Sequence, residues 1–459
     1  MKYSDLSAFF TPRAIAVIGA SRSPNKIGRV VFDNLVNASQ NLPREHRFKV
    51  YAVNPNATKI GSHQCFPRIS AIKDKIDLVI LAIPAQLVPS VVAECTRVKA
   101  KAAIVLSAGF SETGKSKEER ALARVKKSLR ILGPNTMGIY DAYTKIDTLF
   151  GTHHRQARPP PGSIAIISQS GALGAALLDW LALENIGISK FVSIGNSMDV
   201  DEIELLHWLS KDPKTSTIAI YLEGTKHGQE LIRALKEVGK SKPVVMLKAG
   251  RTSAGTRAVL SHTASLAGEH DVWRGALHQS NVIEVSDIEE LFDVTKALSM
   301  QPASRGSRIA IVTNGGGLGV LSTDEIIEQN LELAEPEKKT LEKIKASVPA
   351  NASVKNPLDM TADATPHMYR LALEAMLSDR TVDAVLAIVL FQVTAIDPSI
   401  IEVLKSAKRF KKPIVVCATG GEFTTKNRKL IENHGIPTYS SPRRAIRAIK
   451  ALVERANKR

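Results

Sequence analysis

Short apolar runs alternate with longer polar or amphipathic segments along the 459 residues of the chain. Runs rich in Val, Ile, Leu and Ala are typical of strands that are buried on both faces of a parallel sheet. The segments between them fit crossover helices. We therefore predict an α/β protein, with strands at Ala14–Ile18, Val50–Val53, Leu78–Ile83, Ala103–Leu106, Ile164–Ile167, Phe191–Ile194, Ile218–Leu222, Val244–Leu247, Ile309–Val312, Val382–Leu390 and Ile414–Val416.

Two polar interruptions divide this pattern. The first, Gly151–Gly162, contains three consecutive prolines, which fit neither a helix interior nor a central strand, and the second is Gln301–Ser307. Three domains of similar size are predicted, at residues 1–150, 151–302 and 303–459. Each has the alternation of a Rossmann- or flavodoxin-like parallel sheet.

One strand, turn and helix start occurs twice in the sequence. Ile164–Gly174 and Ile309–Gly319 are identical at six of eleven aligned positions, and three others exchange Ile for Val, Ser for Thr and Gln for Asn. The second and third domains also share a late strand that opens Lys242-Pro or Lys412-Pro. Duplication of one flavodoxin-like unit accounts for both matches.

The repeated turn is a candidate phosphate site. A strand that ends in small hydroxyl and glycine residues before a helix leaves backbone N–H groups free at the helix N-terminus, where they favour an anion. Such a turn also occurs without any ligand, but two near-copies favour phosphate contact. The candidate residues are Ser168, Ser170 and Gly171 in one copy, and Thr313, Gly315, Gly316 and Gly317 in the other.

The first domain opens with a strand and a Gly- and Ser-rich turn, residues 14–28. The spacing is not GxGxxG, and the second strand leads to Asn54 where a dinucleotide site needs an acidic residue for the ribose, so a nicotinamide cofactor is disfavoured. Ser21, Arg22, Ser23 and Lys26 fit the phosphates of a ligand such as coenzyme A. An empty Rossmann-like scaffold is the alternative.

Two further turns follow predicted strands, Ile83-Pro84-Ala85 and Gly133–Thr136. Ligands of open α/β sheets lie at the carboxyl ends of strands, so both turns are candidates for a binding site. Prolines that merely terminate the strands are an equal alternative.

The amino-acid composition indicates which classes of binding partner and which cellular compartment to expect. Lys and Arg number 62 and Asp and Glu 45, which gives a net charge of +17 and favours anionic partners. Only 5% of the residues are aromatic and the basic residues are scattered, which disfavours nucleic acid and favours a nucleotide-like small ligand or an acidic protein. Cys65, Cys95 and Cys417 have no metal spacing and an odd count, which indicates a reducing compartment. Without an apolar signal core or a membrane span, a cytoplasmic location is expected.

The stretch from Lys248 to Gly268 is rich in Gly, Ser, Thr and Ala around a single imidazole, His262. Small neighbours leave a nucleophilic histidine accessible, and Glu223, at the end of an apolar strand, is a candidate to fix its tautomer. A surface or helix-capping histidine is the alternative. Metal binding is disfavoured because the nearest histidine, His270, is eight residues away and no ligand cluster surrounds the pair.

These motifs, in their order, resemble the α subunit of ADP-forming acetyl-CoA (acyl-CoA) synthetase. This family belongs to the nucleoside-diphosphate-forming acyl-CoA synthetase superfamily, which includes succinyl-CoA synthetase. The resemblance covers essentially the whole chain. It rests on Gly133–Thr136, Ser168–Ala172, Tyr221–Gly224, Ser261–Gly268, Asn314–Gly319 and Asn356–Asp359. The chain departs from the family at Ala264, where Gly is frequent. This departure bears on the flexibility of the loop that contains the histidine.

The resemblance implies a CoA-binding domain and two succinyl-CoA synthetase-like ligase domains. It implies that acyl-CoA and phosphate give acyl phosphate, that acyl phosphate phosphorylates His262 beside Glu223, and that the phosphohistidine converts ADP to ATP. Acetyl-CoA is the default substrate. The two repeated turns are expected to converge on the phosphate that His262 carries. The implied CoA-binding residues are Gly19, Ser21, Ser23, Lys26, Asn54, Ile83 and Asn135.

The three predicted domains leave no room for the ATP-grasp domain that the family requires, and no GxxxxGK[ST] loop is present. The resemblance therefore implies a separate ATP-grasp β subunit that binds Mg-ADP or Mg-ATP, in an α2β2 assembly. A succinyl-CoA synthetase α chain is disfavoured by the domain beyond Arg305. A non-catalytic acyl-CoA sensor is disfavoured because His262 and Glu223 are both present, and a nicotinamide-dependent dehydrogenase is disfavoured by Asn54.

Overall fold

The structure, a computed structural model, describes residues 5–114, 116–263 and 270–457. The chain divides into two compact units between Glu284 and Val285. The first unit contains two sheets and the second unit one. All three sheets are mainly parallel and carry helices, so the predicted α/β class is confirmed. The predicted strands are all present, with ends that differ by at most three residues.

The first sheet has Rossmann strand order. Its strands are β1 (Ala14–Ile18), β2 (Lys49–Val53), β3 (Lys59–Ile60), β4 (His63–Phe66), β5 (Leu78–Leu81), β6 (Ala102–Val105) and β7 (Arg130–Leu132). They run in the order β3-β4-β2-β1-β5-β6-β7, and all pairs except β3 with β4 are parallel. The accompanying helices are α1 (Ser7–Phe10), α2 (Ile27–Gln40), α3 (Val88–Arg97) and α4 (Ser116–Val125). Every residue of β1, β5 and β6 is buried, which explains their unbroken apolar runs.

The second sheet has flavodoxin order. Its strands are β8 (Ile139–Asp141), β9 (Pro161–Ser168), β10 (Ile188–Ser193), β11 (Thr217–Leu222), β12 (Val244–Lys248) and β13 (Ile283–Val285), in the order β13-β12-β11-β9-β10-β8. Its helices are α5 (Gly171–Leu183), α6 (Glu202–Lys211), α7 (Gly228–Ser241), α8 (Ser253–Thr263) and α9 (His270–His278). The last proline of the polar interruption, Pro161, is the first residue of β9, a position that proline tolerates.

The two sheets of the first unit share one hydrophobic core. The ring of Phe10, in α1, stacks on that of Trp208, in α6, with 4.3 Å between ring centroids. Arg130, in β7, donates to the carboxylates of Asp199 and Glu204. Residues of both predicted domains therefore fold together in this unit.

The second unit also consists of a mainly parallel sheet with helices between its strands. It contains β14 (Arg308–Thr313), β15 (Glu332–Leu333), β16 (Ser353–Val354), β17 (Leu358–Asp359), β18 (Ala384–Ile388), β19 (Ile414–Cys417) and β20 (Thr438–Tyr439). Its helices are α10 (Ile288–Met300), α11 (Gly316–Glu328), α12 (Lys338–Lys345), α13 (Pro366–Ser378), α14 (Ser399–Ala407), α15 (Glu422–Glu432) and α16 (Pro442–Asn457). The strand order is β16-β17-β14-β18-β19-β20, with β15 beside β14. Helix α10, which the sequence places in the second domain, packs against α16. The three-domain division remains a prediction.

Within the described residues, no helix has both the length and the hydropathy of a membrane-spanning segment. In the same residues, no group of three or more His, Cys, Asp or Glu side chains has the arrangement of a metal site.

Candidate active site

The first unit contains a cavity of about 1330 Å³ at the carboxyl ends of six strands, three from each of its sheets. The lining segments follow β5, β6, β7, β9, β10 and β11, and they are residues 82–84, 106–108, 135–137, 169–171, 195–197 and 224–226. Binding sites of open parallel sheets lie at this edge, because the loops that follow neighbouring strands meet there. The cavity brings together Ile83, Asn135, Ser170 and Gly171, four of the residues predicted from the sequence.

The N-terminus of α5 opens on this cavity. Ser170 is the N-cap residue, and its hydroxyl oxygen accepts a 3.3 Å hydrogen bond from the backbone N–H of Leu173. Gly171 begins the helix, and both Ser170 and Gly171 line the cavity wall. A helix start of this kind offers partial positive charge to an anion.

Ser168, the last residue of β9, lies beneath the turn that leads into α5. Its side chain is fully buried, and its hydroxyl donates a 2.6 Å hydrogen bond to the carbonyl oxygen of Ser170. In this conformation the hydroxyl shapes the turn. Its role as a direct phosphate ligand remains a prediction.

Gln169, the residue between these serines, fixes the turn that contains Glu223. Its side-chain oxygen accepts hydrogen bonds from the backbone N–H groups of Glu223, at 2.8 Å, and Gly224, at 3.1 Å. Glu223 is 4% exposed, and the hydroxyl of Tyr221 donates to its Oε1 at 3.2 Å. Burial and the nearby Glu223 carboxylate raise the pKa of Tyr221, so this phenol stays a hydrogen-bond donor. The turn that carries Glu223 is therefore held beside the α5 N-terminus.

Lys248, at the end of β12, also stabilises the turn that contains Glu223. It is 2% exposed, and its ammonium donates to the carbonyl oxygens of Glu223, at 2.8 Å, and of Ala249. It also lies 5.0 Å from the centre of the Trp273 ring in α9. Burial lowers the pKa of Lys248 to about 8, although Glu223 and Glu284 oppose this shift.

A polar wall faces the α5 N-terminus. Asn135 has a left-handed backbone, with φ of 57°, and its side-chain amide donates to Asn196 at 3.2 Å. Asn196 in turn donates to Glu112 at 2.6 Å and to Glu119 at 3.2 Å. Burial alone would raise the pKa of Glu112, but hydrogen bonds from Asn196 and from the Gly109 and Phe110 amides outweigh it and lower the pKa. This wall is preorganised by hydrogen bonds between groups distant in sequence.

The turn between β1 and α2 is tightly packed and lies beside the cavity. Gly19 has φ of 92°, and a Cβ atom there would lie 2.3 Å from the carbonyl oxygen of Ala82. The side chain of Asn54 donates to the Ala20 carbonyl at 2.8 Å, so it holds this turn in place. Ser23 and Lys26 are exposed and Ser21 is half-buried in the loop before α2. The cavity wall includes Ile27, the residue that follows Lys26, but none of Gly19, Ser21, Ser23, Lys26 and Asn54.

Helix α8 carries His262 in the described backbone, and this helix lies against the short turn Ser111–Thr113. Ser111 and Glu112 of that turn line the cavity. The side chain of His262 and the whole of Gly268 fall outside the described part of the chain. The contact of His262 with Glu223 therefore stays a prediction.

The repeated turn in the second unit has the same internal bonds. Thr313 donates its hydroxyl to the Gly315 carbonyl at 3.1 Å, as Ser168 does to Ser170. The side chain of Asn314 accepts a 2.9 Å hydrogen bond from the Leu390 amide and donates a 3.2 Å hydrogen bond to the Leu390 carbonyl. It thus holds the residues after the neighbouring strand, as Gln169 holds Glu223. In both copies, therefore, the hydroxyl forms a hydrogen bond within the turn and the amide side chain forms hydrogen bonds to the backbone that follows a neighbouring strand.

Gly315, Gly316 and Gly317 form the start of α11. A Cβ atom on Gly316 would lie 2.5 Å from Oδ2 of Asp359, so a carboxylate of the chain itself approaches this helix N-terminus. Nothing described lies within 4 Å of the Cβ position at Gly317. Phosphate binding by these three glycines remains a prediction.

Sequence reasoning missed Asn196 and did not distinguish the roles of Gln169 and Lys248. Gln169 stands inside the repeated motif, and Lys248 is the first residue of the stretch that contains His262, so a signal was present for both. Asn196 follows a predicted strand without any distinguishing pattern. Its position depends on contacts with α4 and with the turn before it, which the local sequence does not specify.

Comparison with family models gives one match for each sheet. A model of a CoA binding domain matches residues 13–142, and a model of a succinyl-CoA ligase like flavodoxin domain matches residues 161–298. A ligase-CoA domain model matches residues 309–454.

Curated proteins match along the whole chain. The acetate–CoA ligase [ADP-forming] II subunit alpha of Pyrococcus furiosus is 38% identical, over 98% of this chain and 98% of the relative. Acetate–CoA ligase [ADP-forming] I of Archaeoglobus fulgidus is 37% identical over 97% of this chain, which spans 63% of that longer relative.

A solved structure agrees with this grouping. It is the acetyl-coenzyme A synthetase 1 of Ca. Korarchaeum cryptofilum, described as dinucleotide forming and in complex with phosphate and ADP. It superposes with a TM-score of 0.91 and 36% identity, over 99% of this chain and 97% of the other.

Proposed function

The chain belongs to the family of ADP-forming acetate–CoA ligases, and on this premise we propose that it is the CoA-binding, histidine-phosphorylated subunit of an ADP-forming acyl-CoA synthetase. The overall reaction is acyl-CoA, ADP and phosphate to carboxylic acid, CoA and ATP. Acetyl-CoA is the default substrate, because relatives that are 37% to 38% identical to this chain are acetate–CoA ligases.

The cavity of the first unit is the observation that carries this proposal. Loops from both sheets of the first unit line the cavity, and its lining includes the α5 N-terminus. The turn that contains the buried Glu223 lies at its edge. A thioester, a phosphate ion and an imidazole need to meet in one place for the reaction, and our proposal is that they meet in this cavity.

The reaction has three steps. A phosphate oxygen attacks the thioester carbonyl, the carbon–sulfur bond breaks, and CoA leaves as a thiolate that takes up a proton. A nitrogen of His262 then attacks the phosphorus of acyl phosphate, the phosphorus–oxygen bond breaks, and the carboxylate leaves. An oxygen of the ADP β-phosphate finally attacks the phosphohistidine, and the phosphorus–nitrogen bond breaks to give ATP.

The residues have distinct roles in this scheme. Ser170 and Gly171, with Ser168 behind them, bind the phosphate at the start of α5, which stabilises the charge that develops there. Glu223 accepts a hydrogen bond from one nitrogen of His262 and leaves the other nitrogen free to attack. Gly315, Gly316 and Gly317, at the start of α11 in the second unit, are further phosphate-binding residues of this proposal. Ile83 and Asn135, together with the Gly19, Ser21, Ser23, Lys26 and Asn54 turn region, bind CoA.

The ADP-binding part belongs to a partner. The Archaeoglobus fulgidus relative extends well beyond the region that this chain matches, and the Pyrococcus furiosus relatives are named alpha subunits. We infer a separate ATP-grasp β subunit that holds Mg-ADP, in an α2β2 assembly in the cytoplasm. The net charge of +17 suits an acidic partner surface.

The test uses the chain together with its β subunit. Acyl phosphate and ADP are supplied, ATP is measured, and the phosphorylated chain is examined for acid-labile, base-stable phosphate. Wild type is expected to form both products and His262→Asn neither. ATP formation by His262→Asn would refute the proposal.

His278→Asn is the matched control, because His278 is an exposed histidine at the end of α9. It is expected to retain the wild-type rate. A panel of acetyl-, succinyl-, branched-chain and aryl-CoA substrates, measured on the same assembly, then identifies the acid. A clear preference for a substrate other than acetyl-CoA would replace the default substrate and leave the phosphohistidine chemistry intact.

A further inference from the structure

Residues 147–159, which connect β8 to β9 and overlap the polar interruption Gly151–Gly162, form a closed loop. Asp147 is 2% exposed, and its carboxylate accepts hydrogen bonds from Arg158, at 2.8 Å from Nε and 3.3 Å from Nη2. Arg158 also donates to the carbonyl oxygens of Gly151, at 2.8 Å, and Gln156, at 2.7 Å. Because one buried guanidinium binds both ends and the middle of the loop, its conformation is fixed by the chain itself.

The loop spans the space between two helices that flank the cavity. At one end, Asn34 of α2 donates to the Leu149 carbonyl at 2.8 Å. At the other end, Gln156 donates to the Ala175 carbonyl in α5 at 3.3 Å, and the Ala157 amide donates to Asp179 at 3.1 Å. The loop is therefore a wall of the cavity, and it contributes Phe150, Gly151, Arg155 and Gln156 to the lining.

Arg155 presents a charged group on this wall. It is exposed, and within the described ranges no carboxylate lies at ion-pair distance from its guanidinium. The other lining cation, Lys226, lies 3.8 Å from Glu119. A planar guanidinium binds a phosphate group through two parallel hydrogen bonds, and its charge persists at every physiological pH.

The loop is attached to α5 beyond the first turn of that helix. The loop contacts α5 at Ala175 and Asp179, about 6 to 12 Å along the helix from Gly171 at 1.5 Å per residue. Its other end is attached to α2, the helix that follows the turn predicted to bind CoA. These two attachments favour a phosphate group of CoA, and not the phosphate ion expected at the α5 N-terminus, as the anion for Arg155.

We propose that Arg155 binds a phosphate group of the CoA part of the substrate, and that Arg158 is the positioning residue that holds it there. This inference rests on the proposed function, which supplies the ligand class. It assigns to the loop of residues 147–159 a part in substrate binding beyond that of a connection between two strands.

Calorimetric titration of CoA into the full chain tests the inference without turnover. Arg155→Gln is expected to raise the Kd for CoA about tenfold, which corresponds to about 1.4 kcal/mol. Arg233→Gln, an exposed arginine on α7 away from the cavity, is the matched control and is expected to stay within about twofold of wild type. Equal CoA affinity in wild type and Arg155→Gln overturns the inference.

Dephospho-CoA identifies which phosphate is bound. If Arg155→Gln weakens CoA but not dephospho-CoA, the 3′-phosphate is the group that Arg155 binds. Equal weakening of both ligands assigns the diphosphate. Both results support the inference.

Steady-state kinetics on the assembly with the β subunit provides an independent test of the role of Arg155. The KM for acyl-CoA is expected to rise in Arg155→Gln while kcat and the KM for inorganic phosphate stay unchanged. A rise confined to the KM for inorganic phosphate overturns the inference. Because titration needs no turnover, a chain that binds CoA but makes no ATP refutes the proposed function alone.

Arg158→Lys tests the positioning role, since it keeps the charge and loses the planar fork. It is expected to weaken CoA binding less than Arg155→Gln does, with kcat unchanged. The double variant is expected to bind CoA no more weakly than Arg155→Gln, because Arg158 acts through Arg155. Additive losses overturn the positioning role.

Discussion

The buried ammonium of Lys248 donates a 2.8 Å hydrogen bond to the backbone carbonyl of Glu223, so two neighbouring strand ends are joined beneath the cavity. The same lysine lies 5.0 Å from the centre of the ring of Trp273, in α9. A cation that is almost completely buried is costly unless it is paired. Here the bonded carbonyl groups and the aromatic ring offset part of that cost.

The first prediction follows from the pKa of Lys248, which burial lowers from 10.5 to about 8 in the folded chain. Between these two values the unfolded chain holds a proton that the folded chain has lost, so stability rises with pH across this window. The free energy of unfolding of wild type minus that of Lys248→Met is therefore expected to increase from about pH 7 to about pH 10.

Urea denaturation followed by tryptophan fluorescence measures this difference. Trp180, Trp208 and Trp273 all lie in the first unit, so the signal reports on the unit that contains Lys248. A difference that falls as the pH rises would contradict the lowered pKa.

The second prediction concerns the Glu223 carboxylate. Glu223→Gln keeps the shape of the side chain but removes the charge that stabilises a histidine cation, so the rate of phosphohistidine formation from acyl phosphate is expected to drop about 100-fold. Rapid-quench single turnover on the assembled enzyme measures this rate.

Tyr221→Phe is the paired variant, because it removes the hydroxyl that donates to Glu223 at 3.2 Å and leaves the carboxylate in place. Its rate is expected to stay within about threefold of wild type, because the net contribution of one such hydrogen bond is small. An unchanged rate in Glu223→Gln would remove Glu223 from the mechanism.

The third prediction concerns the close packing of α2 on the first turn. A Cβ atom on Gly28 would lie 2.0 Å from the carbonyl oxygen of Gly19, a contact that forces the helix and the turn apart. Gly28→Ala is expected to destabilise the first unit by about 2 kcal/mol or more.

Gly275→Ala provides the comparison in the same unit. Gly275 is exposed in α9, and no described atom lies within 4 Å of its Cβ position. Alanine is expected to stabilise the chain there by about 0.5 to 1 kcal/mol, because glycine loses more backbone entropy in a helix. Both effects are measurable by urea denaturation, and equal stability of the two variants would argue against the close contact.

The fourth prediction concerns a buried ion pair in the second unit. Lys296 is fully buried and Glu432 is 5% exposed, and the ammonium and carboxylate lie 2.7 Å apart. Lys296→Met leaves the Glu432 carboxylate without its cation, and a cost of about 3 to 5 kcal/mol is expected. The double variant that combines Lys296→Met with Glu432→Leu is expected to recover part of this loss, because it leaves no unpaired charge at the site.

Circular dichroism during urea denaturation measures the second unit as well as the first. Lys405→Met is the control, since Lys405 pairs with Glu402 on the exposed face of α14 and contributes less than about 0.5 kcal/mol. A loss in Lys296→Met as small as that in Lys405→Met would show that the Glu432 carboxylate does not need its buried cation.

The sequence predicted the strands well because a buried parallel strand needs a continuous apolar run. The run at Ala14–Ile18 coincides with β1, and the runs at Val244–Leu247 and Ile414–Val416 each differ by one residue from the observed strand. The repeated turn was visible for the same reason, since strand, hydroxyl, amide and glycine positions are all local in sequence. The sequence was less informative about the purpose of each position within that turn.

Ser168 and Gln169 illustrate the difference. The sequence marked their residue types as phosphate-site candidates or as part of a repeat. In the folded chain, Ser168 donates to Ser170 within the turn and Gln169 accepts from the distant Glu223 and Gly224 amides. The second bond depends on the parallel pairing of β9 with β11, which aligns Ser168 with Tyr221.

The sequence by itself determined the α/β class, the order of the strands along the chain, the duplicated turn and the family, because each depends on local residue pattern or on motifs in a fixed order. The tertiary structure decided the rest: the cavity, the lysine beneath Glu223, and the loop of residues 147–159 as a wall with Arg155 on it. These features arise from contacts such as Asn34 with Leu149 and Gln169 with Glu223. Residues so far apart in sequence become neighbours only when the crossover helices have packed on their sheets, and no local pattern encodes that packing.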